Sequence, residues 1–278
     1  MPDELSARLG KQALGRHAFE DRMPAKLSYA LDNEDDRNHL HNVIPKLHQL
    51  LTRDSDIDVA YLCRPSAVQV FKTSDEGAHF CGYRNMQMLC LACDLPVASD
   101  PQRKLTVSRL QELIEHAWDL GINAHAREQT GGILGSRKHV GTSEAEALFL
   151  SLNVPCTGSA FDGKDAWQKL LDSIEHYLSA STTNVVAEKL PSIIPTQRPP
   201  IFLQRPRHSL TVVGIERLRS GKRRLLVFDP AWRPPSAMQA PLAEFERARW
   251  NDALTLARYR KNERYLKKYS AFEVLFID

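Results

Sequence analysis

Over the first 180 residues apolar positions recur mostly at helical spacing, whereas beyond residue 200 they alternate or run together as strands do. Phe19, Met23, Leu27 and Leu31 mark a helix over 16–31, interrupted by Pro24. Ile44, Leu47, Leu50 and Leu51 mark a second, ending at Arg53-Asp-Ser-Asp56. Residues 58–63 read as a strand bounded by Pro65. Met86, Leu89, Cys90 and Cys93 then fall at i, i+3, i+4 and i+7, one face of an amphipathic helix whose first turn contains Cys81. Val107, Leu110, Leu113, Ile114, Ala117 and Trp118 outline another, stopped by Gly121. A glycine-rich loop occupies 130–141, and Ser143-Glu-Ala-Glu146 has the form of a capping box opening a helix through Leu152. A further helix runs over about 162–178.

Residues 179–200, with Pro191, Pro195, Pro199 and Pro200, read as a surface connection within one domain. Strands follow at 201–204, 208–215 and 223–229. In the second, Leu210 and Val212 fall on one side and Val213 and Ile215 on the other, and Ser220-Gly221 suits a two-residue hairpin turn. A long basic helix over 242–268 and a last strand over 271–277 complete the pattern. This mixture predicts an α+β fold with a largely antiparallel sheet. Residues 58–278 are expected to form the domain, and 1–57 a helical extension that packs on it or precedes it.

Composition narrows the function. A net charge of +3 over 278 residues is too small to imply nucleic acid or an anionic membrane as the main partner. The basic runs near Arg217 and Arg258 read as a solvated turn and an outer helix face. No uncharged stretch approaches the length of a membrane span. Five cysteines, an odd number, and no leader-like apolar start predict free thiols in a reducing compartment, cytoplasmic or nuclear. A monomer without cofactors is expected.

A helix N-terminus favours negative charge, so the thiol of Cys81 is placed to ionise, although a buried core cysteine is the plainer alternative. Its partners would be His208 and Asp229, the imidazole moving a proton and the carboxylate fixing its tautomer. Gln204 and the Cys81 N–H would hold an oxyanion. Taken singly, His208 could be a strand-edge residue, Asp229 a turn residue and Gln204 a surface amide. With a two-residue turn at Ser220-Gly221, Val212 falls opposite Asp229, leaving His208 on the right face but four positions away along the ladder. A turn centred two residues earlier, or a bulge, would bring the two directly across from each other. Zinc on His79, Cys81, Cys90 and Cys93 is the rival constellation. It is disfavoured because Cys90 and Cys93 lie on the apolar helix face and more than two turns separate Cys81 from Cys90. The glycine-rich loop lacks phosphate-binding spacing.

Cys81-Gly-Tyr-Arg-Asn-Met-Gln-Met-Leu89, Gln204-x3-His208-Ser-x-Thr-Val-Val-Gly-Ile-Glu216 and Leu226-Val-Phe-Asp-Pro230 resemble the papain-like cysteine peptidases that process ubiquitin-like modifiers. Within the ubiquitin-fold-modifier-specific protease family, the order Cys, Gln, His, Asp is similar to the ZUFSP-type deubiquitinases. Ile114-Glu-x-Ala-Trp-x-x-Gly121 and Leu134-Gly-Ser-Arg-Lys-x-Val-Gly-Thr142 extend the likeness, and Phe19-Glu-Asp-Arg-Met-Pro24 resembles what precedes the core in fungal-type members, here without the zinc fingers of longer ones. The resemblance implies a deubiquitinating thiol isopeptidase that acts on ubiquitin or polyubiquitin chains through a Cys81 thioester. A peptidase for another modifier, or an inactive modifier-binding module, are the alternatives. Ubiquitin ends in Arg-Leu-Arg-Gly-Gly, so the resemblance also implies carboxylates for its arginines and a narrow channel for its glycines. Glu144, with Glu146 near it, and Gly141 are the candidates, and Asn123 stands where an acidic residue is common. His79-Phe80 replaces a usual Trp-Gly, and His139 an expected tryptophan.

Overall fold

A computed structural model of the chain describes residues 17–73, 76–77, 79–100, 102–180 and 192–278. Residues 181–191, half of the connection expected over 179–200, and the first part of the N-terminal extension lie outside these residues. In chain order the elements are α1 (Ala25–Asp32), β1 (His39–Leu40), α2 (Val43–Thr52), β2 (Ile57–Leu62), β3 (Gln69–Val70), α3 (Cys81–Ala92), α4 (Pro96–Ser99), α5 (Val107–Asp119), α6 (His125–Thr130) and α7 (Thr142–Ser151). Then come β4 (Cys156–Asp162), α8 (Ala166–Ser179), β5 (Ile193–Pro195), β6 (Ile201–Arg205), β7 (His208–Leu218) and β8 (Arg223–Phe228). The chain ends with α9 (Ser236–Gln239), α10 (Leu242–Arg247), α11 (Asp252–Tyr259), β9 (Arg260–Asn262), α12 (Glu263–Leu266) and β10 (Ala271–Ile277). None of the helices among the described residues is long and apolar enough to cross a membrane.

The sheet is built around β7. One of its edges pairs with β8, while the other takes β6 along its first half and β2 along its second. Strands β10 and β4 continue beyond β6, and β5 lies outside β2 as the parallel partner in an otherwise antiparallel sheet. Strand alternation sorts the side chains into two layers. Ile201, Leu203, Leu210, Val212, Leu225, Val227 and Val274 bury against α8 on one face. On the other, Phe202 and Leu275 meet α3, α5 and α7, and Val213, Leu226 and Phe228 meet α2 and β2.

Helix α3 is buried on more than one side rather than amphipathic. Met86, Leu89 and Cys90 enter one core cluster, and Met88 and Ala92 enter another. Residues 17–57 share both clusters: Met23 and Leu31 pack with α3 and α5, and Val43, Ile44, Leu47 and Leu50 with β2.

Five local expectations need correction. The first helix begins only at Ala25, because Pro24 suits a helix start and not an interior; Phe19 is left 97 % exposed. The 179–200 connection contains strand β5. The hairpin loop has three residues, Arg219-Ser220-Gly221, closed by Gly221 at φ +79° and a Leu218 N–H to Lys222 carbonyl bond. A bulge at Val213 then reverses the strand's parity, so Ile215 joins Leu210 and Val212 on one face. The basic helix over 242–268 is broken twice. The Asn251 and Asn262 side chains accept the N–H groups of Leu254 and Tyr265 and start new helices, with β9 between them.

Candidate active site

Cys81 is the first residue of α3, half-buried, and no side chain caps that helix, so its leading N–H groups are not taken up by a capping group. The helix start is fixed by close backbone approach. A Cβ on Gly82 would lie 2.5 Å from the Val140 carbonyl oxygen, and one on Gly141 would lie 2.8 Å from Gln204 Oε1. The 140–141 backbone therefore runs between the Cys81 turn and the Gln204 amide, and only glycine lets it pass. Gln204 is buried and its Oε1 has no partner among the described residues. The loop ahead of this passage is held by α5. Gln111 accepts the Gly135 N–H and donates to the Ser136 carbonyl, and Glu115 accepts the Ile133 N–H at 2.6 Å. Lys138 ties the loop to itself through the Thr130 and Gly132 carbonyls.

His208 opens β7, and Asp229 follows the end of β8. The three-residue loop and the bulge each shift the pairing by one residue, so that Thr211 faces Phe228 and, by continuation, Leu210 faces Asp229. The gap of four positions becomes two, at a ladder end where side chains lean together. His208 Nε2 lies 2.8 Å from Asp229 Oδ1. The same oxygen accepts the Ala231 N–H at 3.0 Å, a local turn that fixes the carboxylate.

The electrostatics follow from these contacts. Burial pushes the His208 imidazole down, but its hydrogen bonds to Asp229 and Cys81 outweigh that and raise it to about 9. Burial opposes ionisation of Cys81 as well, yet the hydrogen bond and charge of His208, with the hydroxyl and N–H of Ser209, hold its thiol below the ordinary value. Burial also opposes ionisation of Asp229, but His208, Ala231 and Lys261 keep it low. Burial pushes the other four cysteines the opposite way: Cys63 and Cys90 strongly up, Cys93 to about 11 and Cys156 to about 12. Cys81 alone among the five is set to be a thiolate facing an imidazolium.

Asn85, overlooked in the sequence, sets this meeting. It lies one turn after Cys81 on α3, donates to Ser209 Oγ at 2.9 Å and accepts from Thr211 Oγ1 at 2.9 Å. It thus fastens the cysteine helix to the strand that begins with His208. Arg84 beside it is buried between Glu34 at 2.6 Å and Glu76, joining the N-terminal segment and the pre-cysteine loop to the helix. The visible signal was three adjacent or near-adjacent polar residues, Arg84, Asn85 and Gln87, inside an otherwise apolar helix.

The expected substrate carboxylates are placed differently. Glu144 is buried and, as the N3 residue of α7, reaches back to accept the N–H of the N-cap Gly141 at 2.7 Å. The cap is therefore Gly141 and not Ser143, and the Glu144 carboxylate faces inward. Glu146 is half-buried beside Gly158, and Asn123 donates to it at 3.0 Å and to the Ser143 carbonyl at 3.1 Å. The amide at 123 thus orients a carboxylate rather than replacing one. Gly141 contributes backbone only. His79 stacks on His139 with ring centroids 6.0 Å apart and meets His17 edge-on at 4.4 Å, forming a row of imidazoles beside the pre-cysteine loop. Among the described residues no group of three or more His, Cys, Asp or Glu is arranged to hold a metal ion.

A thiol at the start of a buried helix, facing a histidine on the central sheet, is the layout of a papain-like cysteine peptidase. Residues 56–275 match peptidase family C78, and the chain belongs to that family of ubiquitin-related cysteine peptidases. It is 32% identical over 228 residues to zinc finger-containing ubiquitin peptidase 1 of Mus musculus, covering 78% of this chain and 38% of that protein. With the Homo sapiens protein of the same name it shares 29% over 262 residues, covering 90% of this chain and 43% of the relative. The chain thus spans about two-fifths of the length of these relatives. The crystal structure of UfSP from C. elegans shares the fold at a TM-score of 0.51 and 13% identity, over 92% of this chain and 41% of that one.

Proposed function

We propose that the protein is a deubiquitinating thiol isopeptidase that cleaves the bond after the C-terminal glycine of ubiquitin through a thioester at Cys81. The Cys81 thiolate attacks the glycine carbonyl carbon, and the resulting oxyanion is received by the Cys81 N–H and the Gln204 side-chain amide. His208, whose Nε2 is held by Asp229 Oδ1, delivers its Nδ1 proton to the leaving amine. The C–N bond breaks and the thioester remains. His208 then takes a proton from water, whose oxygen attacks the thioester, and Cys81 leaves as thiolate. Asp229 keeps the imidazole oriented and its positive charge stable throughout.

The run of contacts from Cys81 through His208 to Asp229 supports this reading, with Cys81 the one cysteine whose thiol is lowered. The name of the Mus musculus and Homo sapiens relatives favours ubiquitin as the modifier. Glu146, half-buried and steered by Asn123, is the carboxylate we assign to the arginines of the ubiquitin tail.

Ubiquitin carrying a C-terminal electrophile tests the proposal. Covalent capture by the wild type and not by Cys81→Ala is expected. Capture only by a different ubiquitin-like modifier would replace ubiquitin as the substrate, and tight binding without capture would make the chain a binding module.

A further inference from the structure

Strand β9 interrupts what the sequence presents as one long helix, and its three residues divide their work by strand alternation. Arg260 turns one way, to Glu216, which is fully buried, at 2.8 Å and to Asp54 at 2.7 Å. That anchoring fixes the β8–β9 register at Arg224↔Asn262, Leu225↔Lys261 and Leu226↔Arg260. Asn262 caps the helix that follows. Lys261 turns the other way, on the face that Leu225 and Asp229 share along β8. Its Nζ lies 3.7 Å from Asp229 Oδ2, and its side chain is only 16% exposed. The ammonium also sits over the Tyr265 ring, 5.1 Å from its centroid, and Tyr265 in turn accepts a hydrogen bond from Arg205.

The two oxygens of Asp229 therefore have separate partners. Oδ1 takes His208 and the Ala231 N–H, and Oδ2 faces Lys261. We propose that Lys261 is a positioning residue for the Cys81–His208–Asp229 site: it holds the carboxylate oxygen that His208 does not use, so that the other is presented to the imidazole. This rests on the reading of Cys81 as the nucleophile. Lys261 does not touch the reacting atoms and acts through Asp229. A strand is required at this point because a helix continuing through 260–262 could not send Arg260 and Lys261 to opposite sides of β8.

The charged and titratable groups around the pair are Cys81, His208 and Asp229 of the site, Arg205 from β6, Arg258 from α11 and Tyr265 from α12. Among them the Lys261 charge partly offsets the Asp229 field at His208. Removing it lets His208 hold its proton to higher pH.

The test uses Lys261→Met, which keeps the stem over Tyr265 and removes the charge, and Lys261→Arg as the conservative rescue. Two readouts are followed: the capture rate at saturating ubiquitin electrophile, with its half-saturating concentration, and the rate of Cys81 alkylation by iodoacetamide against pH. For Lys261→Met the saturating capture rate is expected to fall about three- to tenfold, as for loss of one partly buried charge contact, with half-saturation unchanged. The alkaline limb of alkylation is expected to move up by about half a pH unit. Lys261→Arg restores both. A Lys261→Met protein with the wild-type rate and the wild-type limb would overturn the proposal and leave the nucleophile assignment standing. If wild-type Cys81 alkylates with the profile of an ordinary thiol, the nucleophile assignment fails and the Lys261 role falls with it.

Discussion

Asn85→Ala probes the contact that brings the nucleophile helix to the histidine strand. Asn85 is fully buried, and its amide makes two 2.9 Å bonds, one to the Ser209 hydroxyl and one from the Thr211 hydroxyl. Each such bond contributes about 1 kcal/mol net, and each hydroxyl left unsatisfied in a dry interior costs about 1–3 kcal/mol. Thr211 keeps no water to turn to, being fully buried, while Ser209 retains its contact with Cys81. A loss of about 2–4 kcal/mol follows, read as a lower urea midpoint at unchanged slope. Thr211→Val removes one of the two bonds and is expected to cost about 1–2 kcal/mol. The double variant should cost less than the sum, because both changes delete the same bond. At neutral pH, with the fold still intact, Cys81 in Asn85→Ala should alkylate more slowly, since the helix start is no longer tied to β7. A loss under about 0.5 kcal/mol with unchanged Cys81 reactivity would refute the tie between Asn85 and site geometry.

Gly82→Ala places a methyl 2.5 Å from the Val140 carbonyl, which forces the glycine-rich loop away from the helix; a cost of about 1–3 kcal/mol and at least a tenfold drop in capture by ubiquitin electrophile are expected, the first from chemical unfolding and the second from capture kinetics. Glu144→Gln keeps the size but loses the charged cap on Gly141, so it should lower stability by about 1 kcal/mol without changing half-saturation by ubiquitin, whereas Glu146→Arg should raise half-saturation and, through loss of the Asn123 bond, also cost about 1 kcal/mol of stability. The pH dependence has a definite sign. Folding raises His208 from 6.5 to about 9, so its stabilising contribution is full below its ordinary value and is lost as pH rises through about 9, and capture should fall over the same alkaline range.

The fold class, the sheet strands after residue 200 and the helices led by Cys81 and Val107 were legible because apolar periodicity reports burial directly. Order and motif singled out Cys81, His208 and Asp229 as candidates; their meeting could not be read from either. It depends on a three-residue loop and a bulge at Val213; Gly214 beside it is the one signal of a bulge in the strand, and it does not tell the loop length or the resulting register. The break at 260–262 was hidden for a related reason. Arg260 and Lys261 are ordinary helix residues locally, and the buried Glu216 on β7, Asp54 and Asp229 just past β8, all distant in sequence, draw them into extended backbone. A carboxylate beside a glycine loop, as at Glu144, fits substrate and cap equally well in sequence. The Gly141 N–H, pointing at it from three residues away, decides for the cap.

The most direct measurement is the pH titration of the Cys81 thiol, followed by iodoacetamide alkylation and peptide mapping, in the wild type and in His208→Ala. An imidazolium that holds the thiolate predicts a wild-type Cys81 titrating below its ordinary value of 9.0, with reactivity at neutral pH that Cys63, Cys90, Cys93 and Cys156 do not share. In His208→Ala only the Ser209 hydroxyl and N–H still oppose burial, so Cys81 should titrate higher than in the wild type and lose reactivity at neutral pH. A Cys81 that titrates alike in both proteins would contradict the ion pair on which the proposed chemistry depends.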